Sequence, residues 1–93
     1  MVLTGKDKRA LRTAGTHLKP EVWIGKRRIG IGIIHSLENS FRTKELVKIK
    51  ILDNCAQDKR EIAELLSLKM KAEIVQILGN MILLYKPLSE MDR

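Results

Sequence analysis

The stretch 22–34 constrains the fold more than any other part of the chain, because it changes from one secondary-structure pattern to another. It opens with the apolar run Val22-Trp23-Ile24, breaks at Gly25, and resumes with apolar residues at helical spacing. This pattern predicts a short strand, buried if neighbouring strands pair with it, and then a turn and a helix. The N–H groups of such a turn and the positive end of the helix dipole favour a bound anion.

Three consecutive cations occupy the predicted turn. Lys26, Arg27 and Arg28 follow Gly25 directly, and Gly30 stands at the predicted start of the helix. A glycine has no Cβ, so it allows the backbone of a ligand to approach closely. The motif therefore predicts a loop that binds phosphate groups of a nucleic acid, with RNA as the favoured partner.

The positive charge is concentrated in the first half of the chain. Residues 1–50 hold twelve Lys and Arg residues against four acidic ones, whereas residues 51–93 hold six against seven. This distribution predicts one basic face, and such a face usually meets a polyanion. The cations expected to extend the loop surface are Lys6, Lys8, Arg9, Arg12 and Lys19, with Lys48 and Lys50 as weaker candidates.

Apolar spacing and capping residues predict three helices. The first covers residues 5–16 and begins at a capping box formed by Thr4 and Asp7. The second covers about residues 30–43, and the third about residues 56–71. We expect Asp53 and Asn54 to cap the third helix. The residues predicted to face the core are Ala10, Leu11 and Ala14, then Ile33, Ile34, Leu37 and Phe41, and finally Ile62, Leu65, Leu66 and Met70.

Four strands complete the predicted order helix–strand–helix–strand–helix–strand–strand. The second strand, at 46–52, alternates between apolar residues and the exposed cations Lys48 and Lys50. The last two strands flank Gly79-Asn80, which is a two-residue hairpin signal, and both are apolar enough to be central or covered. We expect a single domain over residues 1–93, with an ordered core at about 3–87 and a frayed tail at 88–93.

The sequence does not support catalysis, metal binding or cofactor binding. Cys55 has no histidine near it in the chain, and no serine lies in a nucleophile motif. Gly30-Ile31-Gly32 is half of a dinucleotide fingerprint, but His35 replaces its third glycine. No apolar run has the length of a membrane span, and the first residues lack a signal-peptide core. We expect a cytoplasmic monomer that is not an enzyme, with no metal, cofactor, membrane or small-molecule substrate.

The small number of aromatic residues favours phosphate binding over base reading. Only Trp23, Phe41 and Tyr85 are aromatic, and at least two are expected in the core, so an aromatic platform for bases is not expected. A glycine-containing basic loop instead suits a phosphate clamp like that of KH domains. Two alternatives stay open, a protein-interaction module whose basic face meets an acidic protein, and duplex DNA binding, although a helix-turn-helix pattern is lacking.

Eight short motifs follow one another along residues 3–87. They are Leu3-Thr4-Gly5-Lys6, Lys8-Arg9, Leu11-Arg12, His17-Leu18-Lys19-Pro20, Ile24-Gly25-Lys26, Glu45-Leu46-Val47-Lys48-Ile49-Lys50, Val75-Gln76-Ile77-Leu78-Gly79-Asn80 and Leu84-Tyr85-Lys86. Together they resemble the bacterial stand-alone CRM domain, the YhbY-like family named for chloroplast RNA splicing and ribosome maturation.

This resemblance implies an α/β domain, an α+β sandwich in which three helices pack with a four-stranded mixed sheet. Such a fold is similar to the C-terminal domain of translation initiation factor three and carries a KH-like Gly-x-x-Gly loop. The resemblance also implies binding to large-subunit ribosomal RNA or its precursor during ribosome assembly. Since plant relatives act in intron splicing, another structured RNA such as an intron is an alternative. Arg28 stands where the family has the second loop glycine, and a positive φ there would cost about 1 kcal/mol or more.

Overall fold

The computed structural model describes residues 4–25, 30–52 and 58–87. Within these ranges the predicted order of elements is confirmed. The elements are α1 (Gly5–Thr16), β1 (Val22–Ile24), α2 (Ile31–Thr43), β2 (Leu46–Ile51), α3 (Lys59–Met70), β3 (Glu73–Leu78) and β4 (Met81–Tyr85). The predictions for residues 26–28, for Asp53, Asn54 and Cys55, and for the tail at 88–93 fall outside the described residues.

The strands form one mixed sheet in the order β1-β2-β4-β3, as the predicted fold class requires. β1 runs parallel to β2, whereas β4 runs antiparallel to both of its neighbours. Ile24 pairs with Ile51, whose N–H donates to the carbonyl oxygen of Asn80 at 2.7 Å. The end of β1, the end of β2 and the hairpin turn at Gly79 and Asn80 therefore lie together. We call this the loop end of the sheet.

The main core lies between one face of the sheet and helices α2 and α3. The alternation predicted for β2 is confirmed, since Val47, Ile49 and Ile51 are buried while Lys48 and Lys50 are only half-buried. Burying alternate residues of a strand removes apolar surface from water on one face only. The residues that share this core are Val22, Ile24, Leu37, Phe41, Val47, Ile49, Ile51, Ile62, Ala63, Leu66, Met70, Ala72, Ile82 and Leu84.

Helix α1 covers the opposite face of the sheet. Gly15 is its buried residue, and a Cβ there would lie 2.5 Å from a terminal methyl group of Leu83. The ammonium of Lys48 donates hydrogen bonds to the carbonyl oxygens of Gly15, at 3.1 Å, and Leu18, at 3.3 Å. A cation is favoured there because the last carbonyl groups of a helix carry its negative dipole end.

The predicted apolar face of α1 is wrong in part. Ala10 and Ala14 are exposed, whereas Leu11 is half-buried and Gly15 is buried. Close approach to Leu83 selects the face that carries the glycine, because the backbone of α1 can lie nearer to the sheet where no side chain intervenes. The capping box and both ends of this helix are as predicted.

Two further predictions need correction. Helix α3 begins at Lys59 with Asp58 as its N-cap, later than the predicted start, and its buried face includes Ala63 while Leu65 is exposed. The two-residue hairpin is confirmed, with Gly79 at a φ of +57°. β4 is central in the sheet, and β3 forms an edge that both α1 and α3 contact, in agreement with the prediction of a central or covered hairpin. No helix within the described ranges is long and apolar enough to cross a membrane.

Candidate nucleic-acid interface

The N-terminus of α2 lies at the loop end, and no acidic side chain of its first turn offsets the positive end of the helix dipole. Gly30 is the N-cap residue, and a glycine has no side chain that accepts from the first-turn N–H groups. The first turn contains no acidic residue. The exposed N–H groups and the positive end of the dipole are therefore left for an external anion.

The other two helices differ in this respect. Helix α1 has Asp7 in its first turn, and α3 has Asp58 as N-cap and Glu61 in its first turn. These carboxylates offset the positive dipole ends of their own helices and disfavour a second anion. Among the helix starts that the structure describes, the start of α2 is thus the best suited to phosphate.

The predicted clamp residues Lys26, Arg27 and Arg28 fall outside the described residues, so their contacts stay predictions. Their two flanks are described. Gly25 directly follows β1 and is half-buried, and Gly30 opens α2. The chain therefore connects the end of β1 to the uncompensated start of α2 through the three cations.

Cations follow one flank of α1. At about 100° of rotation per residue, Lys8, Arg12 and Arg9 fall within about a third of the helix circumference, with Lys6 next to them. Lys6 and Arg9 are exposed, whereas Lys8 and Arg12 are half-buried beside the face that packs on the sheet. The structure thus brings these four predicted residues together on one helix.

The single acid of α1 is engaged within the helix cap. The N–H of Thr4 donates to Oδ2 of Asp7 at 3.1 Å, and the N–H of Asp7 donates to Oγ1 of Thr4 at 3.1 Å. Because this carboxylate is held at the first turn, it is directed to the cap and not to the cations further along. The flank of α1 therefore presents a net positive surface.

The remaining predicted cations occupy different surroundings. Lys19 is exposed after α1. Lys48 is tied to the end of α1, a structural contact that sequence analysis did not predict, and its contact with RNA stays a prediction. Lys50 lies on the same face of the sheet but nearer the loop end, where it pairs with Trp23 and Met81.

Trp23 is 53% exposed, although the sequence predicted a strand that is buried if neighbouring strands pair with it. Val22 and Ile24 on either side of it are buried in the core, so the period of two residues directs the indole to the other face. β1 is only three residues long and lies at a sheet edge, so the sequence offered little alternation from which to predict this exposure.

A second group of cations lines a groove of about 380 Å³ at the opposite end of the sheet. It contains Arg42, Lys69, Lys71 and Lys86 together with Glu38. Helices α2 and α3 both end here, and their negative dipole ends favour cations while disfavouring bound anions. These residues therefore have a structural explanation and are not assigned to the candidate interface.

Comparison with known proteins places this arrangement in a family. The family described as the CRS1 / YhbY (CRM) domain matches residues 3–86. The chain belongs to the CRM domain family. This match confirms the resemblance seen in the sequence motifs. Together with the relative from Bacillus subtilis described below, it also confirms the prediction that this domain is not an enzyme.

Three relatives are similar to this CRM domain over most of their own length. "Probable RNA-binding protein YqeI" of Bacillus subtilis is 38% identical over 89 residues, which are 96% of this chain and 93% of that protein. An "RNA-binding protein" of Haemophilus influenzae is 31% identical over 88 residues, 95% of this chain and 89% of that one. The solution structure of SAV1595 from Staphylococcus aureus matches with a TM-score of 0.79 and 38% identity, covering 92% and 90% of the two chains.

Proposed function

We propose that this CRM domain binds structured RNA by its phosphate groups, through the turn between β1 and α2 and the cationic flank of α1. The observation that carries the proposal is the N-terminus of α2, which has no acidic residue in its first turn and whose N-cap residue, Gly30, comes two positions after three consecutive cations. Its family and the names of its relatives support RNA as the polyanion.

The proposed contacts are Gly25, Lys26, Arg27 and Arg28 at the turn, then Lys6, Lys8, Arg9, Arg12 and Lys19, with Lys48 and Lys50 as weaker contacts. Phosphate contacts fix the position of a protein on a nucleic acid but carry little sequence information. Recognition then depends on the shape of the folded RNA. The domain acts as a monomer in this proposal.

The proposed client is large-subunit ribosomal RNA or its precursor, which makes the domain a factor in ribosome assembly. This finer step rests on the family resemblance and on the preference for folded RNA that a phosphate clamp implies. Another structured RNA, such as an intron, is the alternative client.

Sedimentation of a lysate through a low-magnesium sucrose gradient tests the client. We expect the tagged protein to migrate with a precursor of the large subunit and to leave it at about 0.5 M salt, because phosphate contacts weaken as salt rises. Ribonuclease treatment of a parallel lysate is the control, and it should move the protein to the top of the gradient. A protein that stays at the top at low salt, or that sediments unchanged after ribonuclease treatment, would contradict the assembly role.

A further inference from the structure

Four side chains cross the loop end of the sheet in register, on the face opposite the main core. Trp23 of β1 pairs with Lys50 of β2, Lys50 pairs with Met81 of β4, and Met81 pairs with Leu78 of β3. Paired residues of neighbouring strands project to the same face of a sheet. We call these four residues the sheet row.

The sheet row is only partly covered. Trp23 is 53% exposed and Leu78 is 66% exposed, while Lys50 and Met81 are half-buried. Beside the row, Thr16 at the end of α1 lines a groove of about 140 Å³ together with Leu78 and Met81. Trp23 and Leu78 lie on the two edge strands with Lys50 and Met81 between them, so the accessible aromatic surface of the row is the indole at the β1 edge.

We propose that the sheet row binds one unpaired nucleotide of the RNA, with its base stacked on the indole of Trp23 and its phosphate paired with the ammonium of Lys50. This inference rests on the proposed RNA-binding function and adds a substrate class to it. The preferred RNA presents an unpaired base next to a paired segment, since the cationic surfaces hold the phosphates of the fold.

The chemistry of the row favours a nucleotide over a protein surface. A nucleotide combines a flat ring, which stacks on an aromatic side chain, with a negative phosphate, which pairs with a cation. Trp23 and Lys50 offer this combination on paired positions, and the row contains no acidic residue. An apolar protein partner would instead have to bury the ammonium of Lys50 without a counter-charge, which is unfavourable.

The row is continuous with the proposed phosphate interface. Gly25 lies two residues after Trp23, and the cations begin at the next position. One strand of RNA that contacts the turn is therefore brought to the row by the connectivity of β1. Since the row has one aromatic ring, it stacks a single base, in contrast to the two or three bases held on an RRM sheet.

The fluorescence of Trp23 tests this proposal directly, because the chain contains one tryptophan. The full chain is titrated with an RNA hairpin that has a single bulged nucleotide, with the same hairpin carrying an abasic site in the bulge, and with a fully paired hairpin. We expect the bulged hairpin to quench the fluorescence most and to bind most tightly, because only it supplies a base that stacks on the indole.

Variants of Trp23 test whether its aromatic ring is responsible for the tighter binding of the bulged hairpin. Trp23→Ala should weaken binding of the bulged hairpin about 5- to 100-fold, as expected for one base stacked on an aromatic side chain, and Trp23→Phe should restore most of it. Both proteins are first checked for an unchanged circular dichroism spectrum. The matched control is Leu68→Ala, which removes a side chain that is 81% exposed on α3, in the other layer, and should leave binding unchanged.

The outcomes separate this inference from the proposed function. Equal affinity for the bulged and abasic hairpins would overturn the proposal that a base stacks on the sheet row. Steep salt dependence of the affinity in the same titrations would still support phosphate binding. Sedimentation equilibrium that shows a dimer lost on Trp23→Ala would also overturn it and assign the row to a second copy of the chain. Failure of all three hairpins to bind at low salt would overturn RNA binding itself.

Discussion

At the scale of single residues, one glycine sets the position of the cationic helix. The buried Gly15 allows α1 to lie against Leu83, and the ammonium of Lys48 holds the carbonyl end of the same helix. Both contacts fix where the cations of α1 lie relative to the sheet.

We expect Gly15→Val to lower the free energy of unfolding by about 1–3 kcal/mol, because the added atoms overlap the buried Leu83 side chain. Urea denaturation measures this change. Gly5→Val is the matched control, since a Cβ at Gly5 meets nothing within 4 Å, and its effect should stay within about 0.5 kcal/mol. Equal midpoints for the two variants would show that α1 does not depend on close packing at Gly15.

At the scale of elements, local signals were predictable and packing was not. The capping box of Thr4 and Asp7 lies within four consecutive residues, so the start of α1 could be predicted. The buried face of α1 could not, because the position of Leu83, far along the chain, selects it. The exposure of Trp23 likewise depends on which strands pair and which face the helices cover.

The start of α2 offers a prediction in which stability and binding change in opposite directions. Gly30→Asp should stabilise the fold by a few tenths of a kcal/mol, because Asp caps a helix better than Gly and the φ of −111° suits any residue. The same carboxylate should weaken RNA binding several-fold, because it occupies the N–H groups and repels phosphate.

Gly30→Asn is the matched variant for this pair of effects. It caps α2 without adding a negative charge, so it should match Gly30→Asp in thermal stability and bind RNA more tightly than the Asp variant. Stability is measured by thermal denaturation and binding by fluorescence anisotropy with one RNA hairpin. Equal RNA affinity for Gly30→Asp and the unchanged protein would remove the α2 N-terminus from the interface.

At the scale of the whole molecule, the two ends of the sheet differ in the helix termini that they offer to charged groups. The loop end has the positive dipole end of α2, and in the sequence Lys26, Arg27 and Arg28 precede that helix. At the opposite end Arg42, Lys69 and Lys71 meet the negative dipole ends of α2 and α3. The account therefore predicts that equal changes of charge at the two ends have unequal effects on RNA binding.

Sequence alone predicted the fold class and the basic half but not this difference between the ends. The charge count assigns Lys and Arg to stretches of chain, and the family motifs supply the fold. Only the three-dimensional arrangement of the helices shows that α2 and α3 end beside Lys86. The cations at this end therefore lie near the negative dipole ends of two helices. The contact of Lys48 could not be predicted from sequence either, since its partner carbonyls belong to Gly15 near the end of α1 and to Leu18 just after that helix.

The most direct measurement of the central claim is the salt dependence of RNA affinity for two charge-matched variants. One replaces Lys26, Arg27 and Arg28 with Ala, and the other replaces Arg42, Lys69 and Lys71 with Ala, so each removes three positive charges. If the unchanged domain neutralises about five phosphates, its log–log slope is near −3.5 to −4.5.

We predict that the loop variant loses about 2–3 units of this slope and binds every structured RNA more weakly, while the variant of the opposite end keeps the slope of the unchanged protein. Circular dichroism spectra of both variants should match that of the unchanged domain. Equal loss of slope in the two variants would show that net charge, and not the turn before α2, carries the binding, and would contradict the account.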